Sequence, residues 1–188
     1  MAKLFGWALV LTGPTIFLHE AGHYLAGLGF GEEVWMTAAS VESNTPASEY
    51  PPLQRAIQTG MGPVVSIILT LIGLALIKRS PGFGAALAVT APARFIFSVG
   101  FLGVLAYRAI KGLPAPSPSF DEYTVASAFD MPVWPLLVAE LLFLIFVAAK
   151  VHRALPQRKK WIAWLALVIG TIVGGYLWLA MLGPALLS

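Results

Sequence analysis

From Leu4 to Phe30 the chain carries one formally charged side chain, Glu20, in a run otherwise apolar enough for a helix to cross a bilayer. Backbone polar groups in hydrocarbon must bond within their own segment, so such a run can fold only as helix. Four more windows of about twenty residues share this character: Ile57–Ile77, Ala85–Tyr107, Val133–Ala149 and Trp161–Leu187. The fold class expected is all-α, a polytopic transmembrane helix bundle of about five spans. With 58% hydrophobic and 11% charged residues, little chain is left for a soluble domain. Lys3 before an apolar run also resembles a secretory signal, but the run exceeds a typical signal core and reads as a retained first span.

Inside the first run stands His19-Glu20-Ala21-Gly22-His23. Residues four apart on a helix differ by about 40° in direction and roughly 6 Å in rise, so both imidazoles can hold one ion. Glu20, one residue on, can reach a water on that ion and act as its base. Ionisable groups within a membrane helix are costly unless they serve a function. The bland alternative is a polar cluster that packs helices without metal. Cysteine is absent, so ligands must come from His, carboxylate and water, a set that suits Zn2+.

The net charge of +3 gives no nucleic-acid signal, because the basic residues gather at span ends. Lys3, Lys78, Arg79, Lys150, Arg153, Arg158, Lys159 and Lys160 fall on one face by a five-span count; Arg55, Arg108 and Lys111 fall on the other. By that count the positive-inside rule puts the amino terminus in the cytoplasm and the histidines nearer the outside. A count differing by one span, or a charge rule overridden, leaves the opposite orientation open. Trp7, Trp35, Trp134, Trp161 and Trp164 lie near span ends, whereas Trp178 lies deeper and reads as packing.

Between the first two spans Val34–Val41 is rich in strand formers and predicts a short strand or hairpin. An extended peptide could pair with its edge. Residues 44–52 read as loop, and Phe120–Phe129 as a short surface helix ended by Met131-Pro132. Gly170 and Gly174 fit a small-xxx-small pattern, read as internal packing.

Leu18-His19-Glu20-Ala21-Gly22-His23-Tyr24 resembles the first core helix of the site-2 protease family of intramembrane zinc metalloproteases. Gly62-Pro63-Val64-Val65-Ser66 is similar to that family's Gly-Pro-x-x-Asn element, with Ser66 where Asn is common. The resemblance implies a protease-like core over residues 1–150 of a single membrane domain, with an additional C-terminal span at 161–187. It implies hydrolysis of peptide bonds within or next to the membrane spans of a protein or peptide substrate, with Glu20 catalytic and His19 and His23 on zinc. The alternative is a non-catalytic membrane metal-binding protein, transporter or inactive protease-like scaffold.

The family's third ligand is an Asp, usually in a Leu-Asp-Gly setting that this chain lacks. Asp121 opens a Phe-Asp-Glu segment that resembles an acidic segment of small relatives, and is the preferred third ligand on that ground. To serve, its segment must dip towards the metal. Asp130 reads as a cap or turn residue, and Glu140, about 12 Å inside its span, is a rival by depth. Arg94 lies at similar depth, so Arg94 and Glu140 are expected to pair. His152, beside Lys150 and Arg153, reads as interfacial.

Overall fold

The computed structural model describes residues 1–46 and 49–187, so the loop expected over 44–52 falls partly outside the described residues. The order is α1 (Ala2–Gly29), β1 (Val34–Met36), β2 (Val41–Ser43), α2 (Pro52–Leu76), α3 (Pro81–Thr90), α4 (Phe95–Ile110), α5 (Asp121–Ala128), α6 (Trp134–Ala154), α7 (Lys160–Leu177) and α8 (Gly183–Leu186). The expected helix bundle is the one observed. Four helices among the described residues are long and apolar enough to cross a membrane, or five if α3 and α4 form one bent span. Their outer faces expose Leu71, Ile72, Ile145, Leu165 and Ile172, which water would penalise and lipid would not.

At the centre lies α1, in contact with α2, α3 and α7. Small residues set these approaches. A Cβ at Gly174 would fall on the Leu9 carbonyl, and one at Gly170 would stand 2.7 Å from Phe5 O, so the two glycines let α7 lie against the α1 backbone. The small-xxx-small pair thus packs internally. Beside it Ala8, Ala86, Ala163, Val151 and Leu167 form a closely filled core.

Two expectations need correction and one alternative is selected. The third window is not one straight helix: α3 and α4 meet at 42°. Pro92 lacks the N–H that an α-helix needs and crowds the preceding turn, so residues 91–94 continue in short i to i+3 bonds such as Phe95 N to Pro92 O. Of the strand or hairpin expected at Val34–Val41, the hairpin is the one observed, pairing Val34 with Ser43 and Met36 with Val41. Thr37 sits in its turn, where its Oγ1 accepts from Ser40 N at 3.1 Å. The last window is interrupted by a π-helical segment, Trp178–Leu182, with Pro184 following it.

Trp178 is a packing residue. Its ring lies under Gly13, where a Cβ would come within 2.8 Å, and its Nε1 donates to Ala38 O at 2.8 Å in the hairpin turn. The short helix α5 forms where expected and rests on α2. Ala126 joins Val133 and Leu137 in a second core, and Phe120 packs edge-on against Phe101 at 5.3 Å.

Candidate metal centre

The site grows from one turn of α1. His19, Glu20, Gly22 and His23 are all buried, so this turn faces protein. Gly22 permits that, because a Cβ there would stand 2.7 Å from Met61 O on α2. Opposite, α2 presents Gln58, Gly62 and Ser66 at four-residue spacing, hence on one face.

Those three residues act together on the imidazoles. His23 Nδ1 donates to Gln58 O at 2.9 Å, which fixes the tautomer and leaves Nε2 as a lone-pair donor. His19 Nδ1 lies 2.9 Å from Ser66 Oγ, whose hydroxyl can hold that ring in the same way. At Gly62 a Cβ would collide with His23 Nε2 and stand 2.6 Å from His19 Nε2. Only a bare backbone leaves both nitrogens their space.

Asp121 completes the group. It opens α5, which the Ala126 and Phe120 contacts pin against α4 and the start of α6 while the helix rests on α2. Its Oδ2 lies 3.1 Å from His19 Nε2 and 3.4 Å from His23 Nε2, and the two Nε2 atoms are 3.2 Å apart. Burial pushes the Asp121 carboxyl up, but its contacts with His19 and His23 outweigh it and hold the group below its ordinary value. These are hydrogen bonds only while the imidazoles carry protons on Nε2, protons that a metal ion would displace. An anionic oxygen and two imidazole nitrogens therefore converge, a set able to hold a metal ion. The segment carrying Asp121 does dip to meet the histidines.

The rivals lie elsewhere. Asp130 adopts φ 52° in the turn after α5, a left-handed position that Asp tolerates better than most residues. Glu140 accepts a hydrogen bond from Ser98 Oγ at 2.6 Å and is not in the group. His152 accepts from Trp164 Nε1 at 3.2 Å at the far end of α6.

The expected Arg94–Glu140 pair is replaced by an ion pair between Arg94 and Glu20. Depth alone matched Arg94 to Glu140. The break at Pro92 instead sets Arg94 at the head of α4, from which its side chain reaches α1, while Ser98 one turn later takes Glu140. Nothing in the local sequence around Glu20 points to its partner 74 positions away.

Two cavities lie on this side of α1, and only the smaller is lined by residues of the group. One of about 150 Å³ is lined by His19, Asp121, Glu122, Ser98, Ser119 and Arg94, enough polar groups to hold water. The other, about 730 Å³ and largely apolar, runs between α1, the α3–α4 break and α7. Thr12 and Thr15 line it, but each spends its hydroxyl on its own helix, Thr12 on Ala8 O at 2.7 Å and Thr15 on Thr12 O at 2.9 Å. Arg94 and Phe97 line both cavities, so the two meet there. Comparison with family models, with curated proteins and with solved structures finds no match to the chain.

Proposed function

We propose that the protein is a multi-pass intramembrane zinc metalloprotease of the site-2 type, hydrolysing peptide bonds within or next to a substrate's membrane span. The observation that carries this reading is the convergence of His19 Nε2, His23 Nε2 and Asp121 Oδ2 beside Glu20. Tetrahedral zinc with bonds of about 2.0–2.1 Å to N and O separates its donors by about 3.3–3.4 Å. The separations of 3.1, 3.2 and 3.4 Å fit one face of that tetrahedron. Two nitrogens and one carboxylate oxygen, with no thiolate, are also a common donor set of catalytic zinc, which keeps a further position open.

When bound, zinc supplies Lewis acidity that activates water and polarises a carbonyl. The chain's own residues do the rest. Gln58 and Ser66 aim the imidazoles, Asp121 neutralises charge, and Glu20 takes the proton of the attacking water and returns it to the leaving amine. Water reaches the site through the small polar cavity. The apolar groove receives the substrate's hydrophobic segment, which must be unwound before its carbonyl can be attacked.

Cleavage of single-span substrates in proteoliposomes tests the proposal. Wild type should give product and Glu20→Gln essentially none, a loss of about 10²-fold or more, with zinc still bound. Equal product from both would eliminate the chemistry. A second reading, a non-catalytic membrane metal-binding protein, draws on the Arg94–Glu20 ion pair, which gives Glu20 a structural use. In that case zinc binds and no substrate is cut.

A further inference from the structure

We infer that Arg94 is a positioning residue that keeps the Glu20 carboxylate off the metal. The inference rests on the zinc reading above and assigns Arg94 a task within it.

A carboxylate is itself a good zinc ligand, and Glu20 is on the same helical turn as two others. Its side chain is 2% exposed, so water does little to satisfy it. Left alone, a buried anion beside a dication moves onto the dication. That move removes the base. Arg94 supplies the competing attraction: its Nη1 donates to Glu20 Oε1, a charge-assisted bond that a guanidinium makes without ever losing its charge.

The backbone behind Arg94 is fixed on both sides, as this task needs. Pro92 ends the regular hydrogen bonding of α3, and Arg94 caps α4 directly after it. Phe95, next in the chain, is buried with its ring 6.3 Å from Phe143 of α6. Ser98, one turn on, is bonded to Glu140 of the same helix. Arg94 thus projects from an anchored corner across to α1. Arg94 lines both cavities and also holds Glu20, so the guanidinium ties the carboxylate to the wall of the space beside His19 and Asp121.

Cobalt(II) provides the probe, since its visible absorption reports the ligands and geometry of the ion. The detergent-purified full chain should bind about one cobalt per chain. In Arg94→Gln the spectrum should change as Glu20 becomes a ligand, and chelator competition should show about tenfold tighter binding. Arg94→Met, which keeps the apolar stem, should behave alike and serves if the Gln variant does not fold. Arg94→Lys should keep the wild-type spectrum. Adding Glu20→Gln to either neutral variant should restore the wild-type spectrum and affinity. A wild-type spectrum and affinity in folded Arg94→Gln or Arg94→Met overturns the inference and leaves the zinc reading standing. Failure of the wild-type chain to bind cobalt overturns both.

Discussion

The two ends of the bundle use glycine in opposite ways. At the end that carries Lys3, Lys78 and Lys150, Gly170 and Gly174 bring α7 onto α1 so that backbone meets backbone, and Ala8, Ala163, Val151 and Leu167 fill what remains. At the other end Gly62 also brings a bare backbone close to α1, but the space it leaves is taken by two imidazole nitrogens and a carboxylate oxygen. One end is closed by apolar contact and the other is held open by polar groups that need a further partner. Stability and chemistry are therefore expected to separate along the axis of one helix.

Substitutions test that separation. The largest effect is expected of Gly62→Ala, whose methyl would occupy the position of His23 Nε2; metal content by elemental analysis should fall to background while helical circular dichroism persists. Asp121→Ala should lower zinc affinity by about 100-fold, with Asp130→Ala and Glu140→Ala at wild-type stoichiometry. Retained zinc in Asp121→Ala together with loss in Glu140→Ala would transfer the third ligand to α6. Ser66→Ala removes the hydroxyl beside His19 Nδ1 and should cost about tenfold in affinity. At the closed end Leu167→Ala should lower unfolding free energy in mixed micelles by about 2–4 kcal/mol with unchanged metal affinity. A loss of zinc in that variant would show that the two ends are coupled. The smallest change is expected on treatment with chelator, which should leave helical content as it was, because the apolar core does not involve the site.

The spans were legible because an apolar run of that length has one fold open to it in lipid. Their interruptions were legible too, but only in the residue that causes them: Pro92 sits in plain view within the third window, where average hydropathy hides it. On the site side, the histidines announce themselves by helical spacing. So does their support once Gln58, Gly62 and Ser66 are read as one face of α2 rather than as a Gly-Pro element followed by a substituted Asn. Asp121 was reachable only through resemblance, since nothing local to α5 states that the segment descends to α1; that depends on Phe120 and Ala126 finding partners on other helices. The pairing of Arg94 failed for the same reason. Two carboxylates at comparable depth competed for it, and the choice was made by a bend that no periodicity encodes.

The contact of α1 with α7 has a consequence for biogenesis. Synthesis delivers α1 to the membrane long before α7 exists, yet α7 covers the α1 backbone at Phe5 and Leu9, and Trp178 covers Gly13 and tethers the hairpin turn at Ala38. Until then α1 must wait in the bilayer with that side facing lipid or the insertion machinery. Its imidazoles cannot be locked before α2 and α5 arrive. The three-residue group is accordingly complete only once α5 has been made, and a chain arrested before α2 would display the His19–His23 motif on a helix with neither Gln58 nor Ser66 to seat it.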